Sequence, residues 1–363
     1  MSVRITLTDD VFPPSSEFID FLEKWISKEP FDGTNWAEFG HERVKMLGRP
    51  ASTRNLLERA ERLTQGDEGG HYVSRAYELF VALLVGDTAA LQPLQEKFRF
   101  ILVVGTPRSG GKYLVKQLFR ALGHDPKAVP EVLGHDGFPD AGPWRFGNSG
   151  NGWMISLQTM AEYLTMVEMF FGDASPHGGS IVVPKKAMKA VYAAGLFHTA
   201  LGSSTEGIIT IRHPVPSCVS TYEAAGGLPR DGLFAARGNI EKFCARDLID
   251  FGFAREELER MDYFDAYLRY WENYQVWLAM SSAAIAGKRQ LLAFGAERYM
   301  LEARQFAGRF GAGGSPIEPF QIRKRHSPHP HWMERAEPSL RRVCEQWERV
   351  GLEFPIEEIN AAW

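Results

Sequence analysis

The chain has 363 residues, 44% of them hydrophobic and 24% charged, the proportions of a soluble globular protein and not of a disordered or fibrous one. Its length allows two compact units, or one large α/β domain with an appendage, and excludes a small stapled scaffold. With 41 Lys plus Arg against 45 Asp plus Glu, the net charge of -4 excludes bulk attraction for nucleic acid or an anionic membrane, so any anion has to be bound locally.

The cysteines, Cys218, Cys244 and Cys344, form no Cys-x-x-Cys pair and no even set, which implies neither a disulfide framework nor a zinc site. The opening Met1-Ser2-Val3-Arg4-Ile5 is charged and polar too early for a secretion signal. No apolar stretch approaches the roughly 20 residues of a membrane span. The expectation is a cytoplasmic protein with no membrane span.

Up to about Lys97 the apolar residues recur at helical spacing. Phe18, Leu22, Trp25 and Ile26 follow the potential caps Ser15 and Ser16; Leu56 and Leu57 follow Ser52 and Thr53; Ala76, Leu79, Phe80 and Leu83 precede a turn at Gly86. Residues 1–97 therefore read as a helical N-terminal extension, a cap or dimer surface compatible with a homo-oligomer, with no catalytic cluster of its own.

At Phe98 the pattern changes. Phe100 to Val104 is a continuous apolar run ending in Gly105, as expected of a buried parallel strand. Leu114, Val115, Leu118, Phe119 and Leu122 then make one helical stripe, stopped by Gly123. Ser180 to Pro184, Gly207 to Ile211 and Gln290 to Phe294 repeat the strand theme. Strands alternating with helices predict an α/β domain over residues 98–363, with a parallel sheet and flanking helices.

The Gly, Pro and aromatic-rich stretch from Gly134 to Trp153 is too long and irregular for a simple connector and reads as a binding loop, with Trp144, Phe146 and Trp153 as candidates to contact an acceptor. The aromatic stripe of Tyr263, Phe264, Tyr267, Tyr270, Trp271, Tyr274 and Trp277 has helical spacing and reads as core. Gly311 to Pro316 reads as a flexible joint before a packed C-terminal helix containing Leu340, Val343 and Trp347.

The strongest functional signal is Gly105-Thr106-Pro107-Arg108-Ser109-Gly110-Gly111-Lys112-Tyr113, a Gly-rich turn between a buried strand and an amphipathic helix. Unpaired N–H groups at a helix start, at the positive end of its dipole, bind anions, and glycines let a phosphate come close. The turn is an anion cradle. Nucleotide triphosphatases place four residues between their glycines, followed by Gly-Lys-Ser or Gly-Lys-Thr. Here Gly105 and Gly111 enclose five, and Tyr113 stands where a magnesium-binding hydroxyl belongs. The other strand ends carry Lys185 and Lys186, Arg212 and His213, then Glu297 and Arg298. Ligands of open α/β sheets bind outside the carboxyl ends of the strands, so these residues are expected to converge on one cationic, metal-free crevice.

These residues resemble the sulfotransferases that use 3′-phosphoadenosine 5′-phosphosulfate (PAPS). Thr106 to Gly110 is similar to that family's 5′-phosphosulfate loop, and Ile211 to Ser220 is similar to its 3′-phosphate motif, a strand ending in Arg-x-Pro with a Ser eight residues after the Arg. Arg212, Pro214 and Ser220 have that spacing. The resemblance spans roughly Phe98 to Tyr299. The chain departs from it at Gly111-Lys112, where the family usually has two hydroxyl residues, and at Arg298-Tyr299-Met300-Leu301, which lacks the family's acidic residues.

The resemblance implies a sulfotransferase, P-loop-like fold and transfer of the sulfuryl group from PAPS to a hydroxyl or amine, with no metal required. Thr106, Pro107, Arg108, Ser109, Gly110, Gly111, Lys112 and Tyr113 would bind the donor, Arg212 and Ser220 its 3′-phosphate, with Arg323 and Lys324 as a weaker match to a further 3′-phosphate element. Arg108 would sit at the bridging oxygen and Lys185 would face the sulfuryl group, Lys186 being the competing register. Glu131 occupies the place of a carboxylate base, with His135 and Asp136 as alternatives. His326, His329 and His331 match no metal spacing. The acceptor class stays open among small molecules, sugars, lipids and peptides. The rival readings are an atypical P-loop small-molecule kinase and a nucleotide-binding protein without catalysis.

Overall fold

The computed structural model describes residues 13–31, 50–136, 138–139, 151–285, 288–294, 297–310 and 329–362. Trp144, Phe146, Arg323, Lys324 and His326 lie outside these residues. In chain order the helices before the sheet are α1 (Ser16–Ser27), α2 (Pro50–Thr64), α3 (Asp67–Val85) and α4 (Thr88–Lys97), the last running directly into β1 (Phe98–Gly105). Then come α5 (Gly111–Ala121), the single turn α6 (Glu131–Gly134), α7 (Asn151–Phe171), β2 (Ile181–Lys186), a 3-10 turn (Met188–Val191), α8 (Ala194–Leu201) and β3 (Glu206–Ile211). After β3 follow α9 (Pro214–Ala224), α10 (Asn239–Asp250), α11 (Arg255–Leu258), α12 (Tyr263–Ile285), β4 (Lys288–Ala293), α13 (Glu297–Gly308), α14 (His331–Arg349) and α15 (Ile356–Ala361).

The four strands form one all-parallel sheet in the order β2-β1-β3-β4. β1 and β3 are buried almost throughout, which is why they read as mostly apolar runs, broken only by Arg99 in β1 and by Glu206 and Thr210 in β3. The chain leaves β1 toward β2 on one side and returns past it to β3 on the other, so the direction of winding reverses between β1 and β3. Their carboxyl ends, Gly105 and Ile211, therefore open on the switch-point crevice where such sheets bind ligands.

One long helix begins where the sequence reads as a loop. α7 starts inside the stretch read as a binding loop, so Trp153 lies in its first turn with 46% of its surface exposed, not on an irregular loop. α7 is sandwiched: Tyr163 meets Phe100 of β1 at 6.3 Å and Phe171 stacks on Phe119 of α5, while Glu168 takes two hydrogen bonds from Arg75 of α3 at 2.9 and 3.1 Å. Glu162 of α7 also accepts from the Ser15 amide at 2.8 Å and from its hydroxyl, anchoring the N-cap of α1. The N-terminal helices thus share one hydrophobic core with the sheet.

At the other end, α14 packs on α12. Trp332 stacks on Phe264 at 4.4 Å, and the Trp347 indole donates to the Gln275 carbonyl at 3.1 Å. The aromatic stripe of α12 is core as expected, apart from Trp277, which is 38% exposed. No helix among the described residues is long and apolar enough to cross a membrane.

Candidate anion-binding site

The turn after β1 is built by close approach. A side chain at Gly105 would put its Cβ 2.2 Å from the Thr210 carbonyl oxygen, so only glycine lets β1 end this close to β3. Gly110 caps α5 with φ +88°, and a Cβ there would meet the Phe294 ring at 2.5 Å. Between them Arg108 holds the left-handed value φ +68°, a conformation that costs about 1–3 kcal/mol in a non-glycine residue and persists only where its surroundings impose it. Ser109 turns inward, donating to the Thr106 carbonyl at 2.7 Å and lying 2.8 Å from the Thr210 hydroxyl. The buried Thr106 hydroxyl has no hydrogen-bond partner among the described residues. Tyr113, in the first turn of α5, packs half-buried on the core.

The contacts that hold Arg108 come from the segment that follows β3. Arg108 Nε donates to Ser220 Oγ at 2.8 Å, and Arg212 Nη1 donates to the Arg108 carbonyl at 3.0 Å. Arg212 itself lies over the Phe294 ring, 4.7 Å from its centroid, and its carbonyl accepts from the Trp271 indole at 3.1 Å. Pro214 starts α9 where a missing N–H costs nothing, and His213 caps that helix by accepting from the Val215 amide at 3.2 Å. Burial, and then the Arg212 charge, pull the His213 imidazole down to about 3, so it is neutral at pH 7.

The end of β2 separates its two lysines, because successive side chains of a strand point to opposite faces. Lys186 borders the turn: a Cβ on Gly111 would touch its Cε at 3.3 Å, and its ammonium pairs with Asp136 Oδ2. Lys185 does not reach the turn. It is 1% exposed, and its ammonium donates to the Val132 carbonyl at 2.8 Å and to the His135 carbonyl. Of the two registers expected for this strand end, Lys186 is the one beside the turn, and Lys185 faces the Val132 and His135 carbonyls instead. Burial, opposed by Asp136 and Glu131, takes the Lys185 ammonium down to about 7.

Glu131 and His135 sit one helical turn apart on α6 and beyond, with Glu131 Oε1 3.5 Å from His135 Nδ1. Burial and then the Lys186 charge hold the His135 imidazole well below its ordinary range, leaving it neutral. Asp136 is different. Its Oδ1 takes the Met188 amide at 2.7 Å and its Oδ2 takes Lys186. Burial pushes this carboxyl up, but Lys186 and these hydrogen bonds outweigh it and keep it ionised. Lys112 feels the whole group: burial and Lys116 lower its ammonium, Glu131 opposes them, and Lys186 and Arg108 lower it further. Crowded cations of this kind favour a bound anion.

The structure thus brings together Thr106 to Lys112, Arg212, Ser220 and Lys186, with Glu131, His135 and Asp136 on the flank. It also shows two supports that the sequence reading did not assign to the site, Tyr274, read there as core, and Tyr299. Tyr274 Oη accepts from the Gly105 amide at 3.3 Å and donates to the Met188 carbonyl at 3.1 Å, joining the ends of β1 and β2 from below. Tyr299 Oη donates to the Gly110 carbonyl at 3.4 Å. The available signal was chemical, since buried Tyr and Trp need partners for their polar tips. His329 stacks on Trp332 at 3.9 Å. Among the described residues no group of three or more His, Cys, Asp or Glu could hold a metal ion. Comparison with protein-family models, curated proteins and solved structures finds no match for this chain.

Proposed function

We propose that the chain is a sulfotransferase that moves the sulfuryl group of PAPS to a hydroxyl or amine of an acceptor, and that its α/β domain is a sulfotransferase-type, P-loop-like fold. One observation carries the reading: the turn that resembles the phosphosulfate loop and the segment that resembles the 3′-phosphate motif interlock, Arg108 on Ser220 and Arg212 on the Arg108 carbonyl. Two others support the fit. The Thr106 hydroxyl is buried without a partner among the described residues, and Gly111 lets Lys186 pack closely against the start of α5.

Bound PAPS supplies an activated sulfur. The acceptor atom forms a bond to that sulfur while the bond to the 5′-phosphate oxygen breaks, and the acceptor proton passes to the Glu131–His135 pair. Negative charge then grows on the departing phosphate, where fixed cations lower the barrier; losing one such donor typically costs about two to three orders of magnitude in rate. Arg108 and Lys186 fill that role, with Lys112 standing in for the missing hydroxyls. Arg212 and Ser220 hold the 3′-phosphate. A cytoplasmic location accords with three cysteines that form no disulfide.

The kinase reading has less support, because Asp136, the acidic side chain beside Lys186, already spends both oxygens on Lys186 and the Met188 amide. The test is PAPS turnover across a panel of phenols, sugars, lipids and tyrosine peptides. Release of 3′-phosphoadenosine 5′-phosphate with sulfation of one acceptor, abolished in a folded Arg108→Ala variant, is expected. Undiminished activity in that variant contradicts the assignment, and donor binding without turnover on any acceptor moves the chain to the nucleotide-binding proteins without catalysis.

A further inference from the structure

Lys185 is a buried ammonium satisfied by main-chain oxygens. Its two hydrogen bonds go to the carbonyls of Val132 and His135, and the Tyr163 ring lies 5.0 Å away on another side. Removing a charged amine from water is costly, and an apolar side chain of the same length would fill this space without that cost. The amine is kept for the two hydrogen bonds it donates at the place it is held.

That place is α6. The turn has four residues and closes on itself through the Leu133 amide on Pro130 at 3.1 Å and the His135 amide on Glu131 at 2.8 Å. A single turn is far below the length at which a helix sustains itself in water. Yet it carries Glu131 and His135, 3.5 Å apart, and leads straight into Asp136, which in turn holds Lys186. Two carbonyls three residues apart, both tied to the end of β2, fix the turn against the sheet.

We propose that Lys185 is a positioning residue, which pins α6 to β2 and so sets the place of the Glu131–His135 pair relative to the phosphate turn. The inference rests on the reading of that pair as the acceptor base, and it moves Lys185 from the donor side of the reaction to the acceptor side. Lys185 and Lys186 then divide the site between them. Lys186 acts on the anion, and Lys185 acts through the backbone.

The test uses the full chain with Lys185→Met, which keeps the length and removes the donor, and Lys186→Met beside it. Hydrogen exchange at the Leu133 and His135 amides is expected to quicken at least tenfold in Lys185→Met, while β1 and α5 keep their protection. The thermal shift with 3′-phosphoadenosine 5′-phosphate should match wild type in Lys185→Met and be lost in Lys186→Met. With an active acceptor, Lys185→Met should lower kcat at least tenfold at unchanged donor KM. Wild-type exchange at both amides, or a wild-type kcat, overturns the proposal. If the Met variant does not fold, Lys185→Arg replaces it: its wider head forces the two carbonyls apart, so the same local exchange and kcat effects are expected, and their absence in a folded variant is equally decisive. Should wild type itself fail to turn over PAPS, the functional reading falls while the exchange data still decide whether Lys185 pins the turn.

Discussion

Arg108 and Ser220 stand 112 residues apart in sequence and share a hydrogen bond of 2.8 Å, the guanidinium Nε donating to the hydroxyl. The contact fixes one edge of the Arg108 fork, and Arg212 fixes the same residue through its carbonyl. Ser220→Ala removes the orienting partner of a charged group, a loss of about 1.5–3 kcal/mol for hydrogen bonds of this type. Donor affinity is expected to fall at least tenfold, and the unfolding midpoint by a few degrees. Titration calorimetry with 3′-phosphoadenosine 5′-phosphate checks this, and unaltered affinity would separate Ser220 from the site.

Gly110 offers a sharper structural test. A methyl group there meets the Phe294 ring at 2.5 Å and the Tyr299 hydroxyl at 2.7 Å, at a backbone angle that L-residues avoid. Overpacking and the left-handed conformation together predict that Gly110→Ala costs about 2–4 kcal/mol in urea unfolding. In a Phe294→Ala background the ring is gone, so the penalty should shrink by at least about 1 kcal/mol. Strict additivity of the two substitutions would mean that Phe294 does not press on the turn.

The strands and the close-packed turn after β1 were legible in the sequence for the same physical reason. A strand buried on both faces, such as Phe98–Gly105 or Glu206–Ile211, has little polar alternation to confuse it with a surface element, and a turn packed this tightly between strand and helix has to carry glycines in a short run. The observed strand bounds differ from the expected ones by only a residue or two. α7 was illegible because it is covered from both sides: Met160, Ala161, Tyr163, Leu164, Met166 and Val167 are all buried, so no amphipathic stripe marks it. The choice between Lys185 and Lys186 was likewise beyond the pattern, since a two-residue repeat says that adjacent side chains part company but not which one faces the crevice.

A buried carboxyl away from the site predicts a pH effect. Asp247 of α10 accepts the Tyr192 hydroxyl at 2.5 Å, and burial, only partly opposed by that hydrogen bond and by Lys189, lifts it to about 8 from an ordinary 3.8. The folded chain therefore keeps a proton that the unfolded chain releases, so this contribution to stability is complete below about pH 4 and is lost as the pH rises through about 8. The unfolding free energy of wild type should fall over that interval more steeply than that of Asp247→Asn, which cannot ionise. Parallel pH profiles for the two proteins would show that Asp247 is ionised in the fold.

The central claim is that the crevice between β1 and β3 takes a 3′-phosphorylated adenosine nucleotide. The most direct measurement is a thermal shift comparing 3′-phosphoadenosine 5′-phosphate with ATP plus magnesium, each in large excess. Ligand at about a hundred times its dissociation constant adds roughly 2.7 kcal/mol, a rise of a few degrees or less in a chain of this size. The account predicts a rise with the 3′-phosphorylated nucleotide alone, lost in Arg212→Ala. A rise with ATP and magnesium alone would contradict it and assign the crevice to phosphoryl transfer.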